Sequence, residues 1–411
     1  MIVLGGGMVG TATALHLQQR GFDVVLVDQN GQCRETSYGN AGLIQREATR
    51  PYAFPGQPST LLNIAVGRDN SARFTLSALG ELIRPLSLYA RFSMPDRYRI
   101  IMAAYERIIR HSLSEHAPLI EQSGSDDLLS HSGWRHIFSG RRKDFLTEAD
   151  EARRIAEADG LTVDIESSET LCAAEPCFRV KPTGAIFWRN PWAVSEPGTL
   201  VDRYAALFER RGGRRIIGDA RTLVQSGPAW TVETIEGTLS AEVAVVALGP
   251  WSHDILRPLG YKIPLFVKRG YHQSYRCEAV PSVPFRHEEA GVMVLPGVSA
   301  VRITTGAEFA ARGAAPDLSQ LEAAKRMIGP LLGLGEALPS SLWQGSRPCM
   351  PDMLPVIGAA PRHHGLWFNF GHGHQGFTLG PASGRLLAEM MSAETPFIDP
   401  SPYLPNRWMR G

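Results

Sequence analysis

The chain has 411 residues, enough for two or three domains with a large buried core. Hydrophobic residues make up 44% of it and charged residues 20%, as in an ordinary globular protein. The 42 basic and 41 acidic residues nearly cancel, which argues against a nucleic-acid partner. Five cysteines without a CxxC pair favour a reducing compartment, and no apolar run reaches the ~18 residues of a membrane span. We therefore predict a cytoplasmic protein and leave peripheral contact with a membrane surface open.

A glycine-rich turn follows the first predicted strand. The strand is Ile2–Leu4, the turn is Gly5-x-Gly7-x-x-Gly10, and a helix is predicted over 11–20. Gly5 permits the tight turn, Gly7 lets the backbone approach a pyrophosphate, and Gly10 lets helix and strand pack closely. The helix N-terminus offers free N–H groups to the phosphates.

A second predicted strand, over 23–27, ends at Asp28, where a carboxylate can accept hydrogen bonds from a ribose. Strand, glycine turn, helix, strand and acid in this order predict a dinucleotide site rather than an ordinary turn. No second unit of this kind occurs, so we expect one dinucleotide. The residues predicted to bind it here are Gly5, Gly7, Met8, Val9, Gly10, Asp28 and Gln29.

Further elements follow from apolar periodicity and from glycine and proline breaks. Helices are predicted within 81–123, 147–159, 197–211 and 317–332. Strands are predicted at 134–138, 184–188, 215–217, 221–225, 230–234, 243–248, 263–275, 291–305 and 366–370.

Two later stretches carry residues suited to a binding site. The stretch 35–45 is small and polar, which suits a backbone wrapped around a cofactor but equally a surface loop. The stretch 343–358 contains three prolines, and such stiffness favours bidentate binding of a carboxylate by Arg347, although an isolated Arg-Pro pair is more often structural.

The predicted strand 366–370 runs into a glycine turn and then a helix. A helix N-terminus of this kind can stabilise negative charge, including the charge that develops on a reduced flavin. His372 and His374 could instead bind a metal, but no third ligand lies at a suitable spacing, so no metal is predicted.

Together these stretches resemble the flavin-dependent D-amino-acid oxidase and dehydrogenase family, above all the bacterial D-amino-acid dehydrogenases and relatives acting on D-hydroxyproline. A nicotinamide-type Rossmann protein does not account for the proline-containing stretch around Arg347 or for the glycine turn after the predicted strand 366–370. Five motifs in order carry the resemblance: Gly5-x-Gly7-x-x-Gly10 with Asp28, Ser37 with Asn40-Ala41-Gly42, Ala247-Leu-Gly249-Pro-Trp251, Gly345-x-Arg347-Pro348-x-x-Pro351-Asp352-x-x-Pro355-x-Ile357-Gly358, and Gly371-His372-Gly373-x-x-Gly376-Phe377-Thr378.

The resemblance implies FAD, with its adenine end near Gly5–Asp28 and its ring between 42–45 and 373–378. Some sarcosine-oxidase relatives attach flavin through a cysteine near the position of Cys349, but the local pattern follows the non-covalent dehydrogenases. The further cofactor-binding residues that it implies are Ser37, Asn40, Ala41, Gly42, Leu43, Ala247, Gly249, Trp251, Gly373, His374, Gln375, Gly376, Phe377 and Thr378.

The resemblance also implies a substrate site. Arg347 would hold the substrate carboxylate, Arg269 and Tyr271 would add contacts from a neighbouring strand, and His374 would lie beside them. Arg302 and Glu308 are weaker candidates. The implied reaction is oxidation of the Cα–N bond of a D-amino acid or a cyclic imino acid of the D-proline or D-hydroxyproline type. Hydride passes to flavin N5, the resulting imine hydrolyses in water, and no specialised catalytic base is needed.

The predicted fold class is α/β: a Rossmann-type FAD-binding domain with a second, α+β substrate domain on a mixed or antiparallel sheet. The first would come from 1–80, 195–255 and 340–411, and the second from 81–194 and 256–339. The electron acceptor would be a quinone or another acceptor, which is compatible with a position at the inner face of the bacterial membrane. Two alternatives stay open: a glycine/sarcosine-type oxidase that uses oxygen, and an FAD-binding subunit of a larger dehydrogenase complex.

Overall fold

A computed structural model describes residues 1–31, 33–65, 69–75 and 78–409. Its helices are α1 (Met8–Gln19), α2 (Pro58–Ala65), α3 (Leu79–Phe92), α4 (Pro95–Ile109), α5 (Ser112–Ser123), α6 (Arg142–Asp159), α7 (Ser168–Ala174), α8 (Pro197–Arg210), α9 (Ser252–Leu256), α10 (Ser319–Leu332) and α11 (Gly376–Met391).

Its strands are β1 (Ile2–Leu4), β2 (Val25–Asp28), β3 (Leu43–Ile44), β4 (Ala72–Phe74), β5 (Leu129–Ser130), β6 (Trp134–Phe138), β7 (Val163–Ser167), β8 (Gly184–Trp188), β9 (Trp192–Val194), β10 (Arg214–Ser226), β11 (Ala229–Thr234), β12 (Gly237–Ala241), β13 (Ala244–Val246), β14 (Phe266–Arg276), β15 (Phe285–His287), β16 (Val292–Pro296), β17 (Ala300–Thr304), β18 (Ala307–Phe309), β19 (Trp343–Cys349), β20 (Val356–Ala359) and β21 (Leu366–Phe370).

The first sheet has the order β12-β11-β10-β2-β1-β13-β21-β20. Its five central strands, from β10 to β21, are parallel, and their apolar runs are buried, as expected for a sheet covered on both faces. This arrangement confirms the predicted Rossmann-type layer. Helix α1 begins at Met8, one turn before the predicted start at Thr11, because Gly7 already has the extended conformation of an N-cap.

The second sheet has the order β4-β18-β14-β17-β16-β15-β6-β8-β7, and β19 also pairs with β14. Its pairs are antiparallel except β4 with β18 and β6 with β15. The predicted mixed sheet is therefore confirmed. A short third sheet, β3-β9-β5, joins the stretch after the first glycine turn to the strand before α8.

The division into two domains stays a prediction, but the packing differs from its assumed boundaries. Residues of α4 and α5 lie in the same hydrophobic core as α1, α8 and α11, although the segment 81–194 had been assigned to the substrate domain. Conversely, β4 pairs with β18 and β19 pairs with β14 in the second sheet, although both had been assigned to the FAD-binding domain. Both crossings bring elements of one predicted domain against the other. In the described part of the chain, no helix is long and apolar enough to cross a membrane.

Candidate active site

A cavity of about 1310 Å³ lies where the two large sheets meet. On one side it is lined by the turns that follow β1, β2, β13 and β21, and on the other by β14, β18 and β19. Of the predicted site residues, those that line it are Gly5, Gly7, Met8, Val9, Asp28, Gln29, Ser37, Asn40, Ala41, Leu43, Ala247, Gly249, Trp251, Arg347, Gly373, His374, Gln375, Gly376 and Phe377. Gly10, Gly42, Thr378, Arg269 and Tyr271 do not line it.

The glycine turn at one end of the cavity is shaped for close backbone approach. Gly5 has φ +111°, and a Cβ at Gly10 would lie 1.8 Å from the Gly5 carbonyl oxygen. Gly10 therefore serves the packing of α1 on β1, which explains its absence from the cavity wall. Around Gly7 the nearest atom to an added Cβ is Ser37 Oγ, at 3.3 Å, so this side is open. The Met8 N–H donates to the same Ser37 Oγ at 3.1 Å.

Asp28 is held at the rim of this turn by backbone donors. The Gly6 N–H donates to Asp28 Oδ2 at 2.7 Å, and the Asn30 N–H donates to Oδ1 at 2.8 Å. Each carboxylate oxygen retains a lone pair for a further donor, such as a ribose hydroxyl. Turn, helix N-terminus and carboxylate thus fit the pyrophosphate and ribose of a dinucleotide.

At the other end, the two stretches predicted to flank the flavin ring are joined directly. Gln375 Nε2 donates to Gln45 Oε1 at 3.0 Å, and Thr378 Oγ1 donates to the Leu43 carbonyl at 3.2 Å. Thr378 and Gly42 therefore support this junction without lining the cavity. A Cβ at Gly42 would lie 2.2 Å from the Val194 carbonyl oxygen. The N-terminus of α11 faces the cavity through Gly376 and Phe377 and supplies backbone N–H groups there.

In the second glycine turn His372 is buried and His374 is partly buried, and the pKa of each is lowered. His372 Nε2 hydrogen-bonds Ser383 Oγ at 2.9 Å, and burial lowers its pKa to about 3. The pKa of His374 is lowered by burial and further by the positive charges of Arg347 and Lys268. Across the described ranges, no group of three or more His, Cys, Asp or Glu side chains could hold a metal ion.

Arg347 lies on the cavity side of β19, with its guanidinium across Gly270 of β14. A Cβ at Gly270 would lie 2.3 Å from Arg347 Nη1, so only glycine leaves room for this position. Nη1 donates to the Gly306 carbonyl at 3.1 Å, and Nη2 donates to the Thr305 carbonyl at 3.4 Å. Burial lowers its pKa. These acceptors are neutral carbonyls, which leaves the positive charge for an anion in the cavity.

Arg269 and Tyr271 occupy the opposite face of β14. Arg269 is fully buried and donates from Nε and Nη2 to the two oxygens of Glu308, at 2.9 and 2.8 Å. The Tyr271 hydroxyl also donates to Glu308. Because side chains alternate along a strand, this face turns away from the cavity, and the expectation that both line the substrate site is corrected. Glu308 belongs to the same internal ion pair.

The same alternation along β14 places Lys268 in the cavity wall instead. Tyr52 and Tyr89, from other parts of the chain, line the wall as well. Tyr52 packs on His374 with ring centroids 4.9 Å apart. Lys268 lies within a predicted strand. Its pairing with Arg347 across β14 and β19 identifies it as a residue of the cavity wall once the register is known. The sequence alone gave no register. Arg302, a weaker candidate, does not line the cavity; its Nη2 approaches the Asn40 carbonyl at 3.5 Å.

Cys349, the candidate for covalent flavin attachment, ends β19 and is 5% exposed. It lines a smaller cavity of about 210 Å³ beside the large one. Burial raises the pKa of its thiol, so the reactive thiolate is disfavoured. Non-covalent attachment stays our prediction.

A family model described as FAD dependent oxidoreductase, with the short name DAO, matches residues 1–390, and the chain belongs to this family. The protein is therefore an FAD-dependent oxidoreductase, and we predict that the cavity with its glycine turn and Asp28 binds the cofactor. The predicted family and cofactor are confirmed.

Full-length relatives and solved structures narrow the comparison. A D-amino acid dehydrogenase of Methylobacterium radiotolerans is 30% identical over 408 residues, covering 97% of this chain and 97% of the relative. One of Cereibacter sphaeroides is 27% identical, covering 97% and 93%. Glycine oxidase from Geobacillus kaustophilus has a TM-score of 0.74 at 17% identity, covering 100% and 98%. L-proline dehydrogenase from P. horikoshii has a TM-score of 0.75 at 14% identity, covering 100% and 97%.

Proposed function

We propose that the protein is an amino-acid dehydrogenase that oxidises the Cα–N bond of a D-amino acid or cyclic imino acid. The observation that carries this proposal is Arg347, a partly buried guanidinium in the cavity wall that donates to the backbone carbonyls of Arg269, Thr305 and Gly306. A carboxylate is the natural partner for its planar donor pair. The full-length similarity to proteins named D-amino acid dehydrogenase supports the choice of substrate.

The residues of the chain would bind and orient the substrate. FAD, when bound, supplies the acceptor for the hydride that leaves Cα. Arg347 would hold the carboxylate and fix the position of Cα, while Tyr52 and neutral His374 close the wall without a competing charge. The N–H groups at the start of α11 would stabilise negative charge at the flavin end of the cavity. No protein base is required if the amine binds unprotonated, and the imine product hydrolyses in water.

The test is anaerobic reduction of the purified, FAD-replete protein. A panel of D-amino acids, D-proline, D-hydroxyproline, their L-isomers, glycine and sarcosine is mixed with the enzyme, and loss of the flavin absorbance is followed. Rapid bleaching by D-amino or D-imino acids, with L-isomers inactive, would support the proposal. Bleaching by glycine or sarcosine alone would replace it with the alternative of a glycine/sarcosine-type enzyme.

We further propose a quinone or dye as the electron acceptor, on the basis of similarity to dehydrogenases. A position at the inner face of the bacterial membrane would follow from a membrane quinone. The assay compares turnover with a soluble quinone, a dye and air. Peroxide formed in air at the rate of substrate consumption would move the assignment to an oxidase. An enzyme that holds FAD but is bleached by no amine would favour the alternative of a subunit in a larger complex.

A further inference from the structure

Lys268 and Arg347 form a pair of cations on one face of the second sheet. They are directly opposite each other between β14 and β19, and both line the large cavity. Side chains in such cross-strand positions are close neighbours, with Cβ atoms about 5 Å apart. Lys268 is only 6% exposed, and Arg347 is partly buried.

The surroundings of the Lys268 ammonium are aromatic and neutral. Nζ donates to Tyr89 Oη at 3.0 Å and lies 4.3 Å from the centroid of the same ring. It also lies 5.4 Å from the ring of Phe309 and 5.7 Å from that of Phe266. These contacts hold the ammonium in place, and its remaining N–H groups are available to an acceptor.

Glu308, next to β14 on its opposite face, and Glu288, in the cavity wall, have other partners. Glu308 pairs with Arg269, and Glu288 pairs with Arg286. Over the residues that the structure describes, no carboxylate forms an ion pair with Lys268 or Arg347. The two cations also act on the same side chain, since both lower the pKa of His374. Neither cation therefore has a carboxylate as an ion-pair partner among the described residues.

Two adjacent cations of like charge in a cavity wall are costly, and a single α-carboxylate would balance only one of them. We propose that the substrate carries a second carboxylate or a comparable anionic group, which Lys268 binds while Arg347 binds the α-carboxylate. The substrate class is thus an acidic amino acid or imino acid. This inference rests on the proposed function, because it names the substrate of the same site.

The test compares each acidic substrate with its neutral amide. Dye-linked kcat/KM is measured for D-glutamate and D-glutamine, and for D-aspartate and D-asparagine. We expect the acid to exceed its amide by about 10-fold or more in at least one pair, as for a charged hydrogen bond in a closed site. The Lys268→Met variant keeps an unbranched apolar stem among the aromatic rings, and it should lose this preference. The readout is the ratio of kcat/KM for the acid to that for its amide, which should fall to about one in this variant.

Lys262→Met is the matched control. It makes the same change of charge at an exposed lysine outside the cavity wall, and it should keep the preference. FAD content and the melting temperature of each variant show whether it is folded. Equal turnover of acids and amides by the wild type would overturn the inference and leave the proposed function standing. An equal loss on all substrates in Lys268→Met would overturn it in favour of a contact between Lys268 and the cofactor.

A binding measurement separates the two proposals. Succinate and glutarate are titrated against the FAD-bound protein, with butanoate as the monocarboxylate, and the flavin absorbance spectrum is followed. We expect the dicarboxylates to bind about 10-fold or more tightly than butanoate, and Lys268→Met to remove the difference. Tight dicarboxylate binding without reduction by any amino acid would refute the proposed function alone. Equal affinity for all three acids would refute the dicarboxylate site.

Discussion

The position of the Arg347 side chain depends on the absence of a Cβ atom at Gly270. The guanidinium rests across Gly270, where a Cβ would lie 2.3 Å from Nη1 and 2.5 Å from Nη2. A rigid backbone Cβ cannot move aside, so the Gly270→Ala change should displace the guanidinium. We expect kcat/KM to fall about 10-fold or more while FAD stays bound.

Steady-state kinetics on FAD-replete Gly270→Ala tests this expectation. Gly313→Ala is the control, because a Cβ at Gly313 meets nothing within 4 Å and its backbone is not left-handed. Unchanged kcat/KM in Gly270→Ala would show that the arginine is not fixed by this contact.

Arg347 itself can be tested by two substitutions of different severity. Arg347→Lys keeps the charge but loses the planar donor pair, and Arg347→Ala loses both. If it anchors the carboxylate, kcat/KM should fall by roughly 100-fold or more, with Ala the worse, while FAD content is unchanged. Near-wild-type kcat/KM in FAD-replete Arg347→Ala would remove this residue from the substrate site and make Lys268 the carboxylate anchor.

The contrast between Arg269 and Lys268 shows what the sequence can and cannot predict at the residue scale. The sequence places both in one strand, and a charged residue at either position could face a substrate. Which of them does so depends on alternation and on pairing with β19, which are set by long-range contacts. Motifs that lie on turns escape this ambiguity, because their glycines are constrained locally, and Gly5, Gly7 and Asp28 all line the cavity.

At the scale of elements, α1 and α11 approach closely because both supply small residues at their crossing. A Cβ at Gly384 would lie 2.9 Å from the backbone nitrogen of Thr13. The Gly384→Ala change should therefore push apart the two helices whose N-termini face the cavity, at a cost of roughly 1–3 kcal/mol in the free energy of unfolding. Thermal unfolding and the FAD content of the purified protein measure the two consequences.

The control for the helix crossing is Gly80→Ala in α3, where a Cβ meets nothing within 4 Å. There the loss of a glycine should leave stability unchanged or raise it by a few tenths of a kcal/mol. Equal melting temperatures for Gly384→Ala and the wild type would contradict the close-packing argument.

Helices and strands were predicted well where they follow from local periodicity. They were predicted less well where long-range packing decides which sheet or core they join. The parallel βαβ start follows from apolar runs and glycine spacing alone. Helices α4 and α5 are amphipathic in sequence, but sequence cannot say which sheet their apolar faces cover; in the structure Ile108 and Leu119 join the core around α1 and α11. For the same reason β19 was predicted only as a stiff loop, since its strand character comes from pairing with β14.

Across the whole molecule, several buried histidines link stability to pH. Burial lowers the pKa of His16 and His372 to about 3 and that of His116 and His272 to about 4, from an ordinary value of 6.5. The unfolded chain takes up these protons below pH 6.5 and the folded one does not, so stability is full above pH 6.5 and falls on acidification. Glu47 acts in the opposite sense, because burial raises its pKa to about 7. At pH 5.5 each histidine lowers the free energy of unfolding by about 1.4 kcal/mol. The combined effect of the four histidines exceeds the opposite effect of Glu47.

We therefore expect the free energy of unfolding to fall between pH 7.5 and 5.5, and His116 isolates one contribution. Its ring nitrogens hydrogen-bond Tyr204 Oη at 3.1 Å and the Phe377 carbonyl at 3.0 Å, and His116→Gln removes the titrating group. Denaturant unfolding at the two pH values should show the pH-dependent loss reduced by about 1.4 kcal/mol in this variant, whatever its stability at pH 7.5. Changing the exposed His131 to Gln in the same way serves as the control. An unaltered pH-dependent loss in His116→Gln would mean that His116 is already charged in the folded protein at pH 5.5.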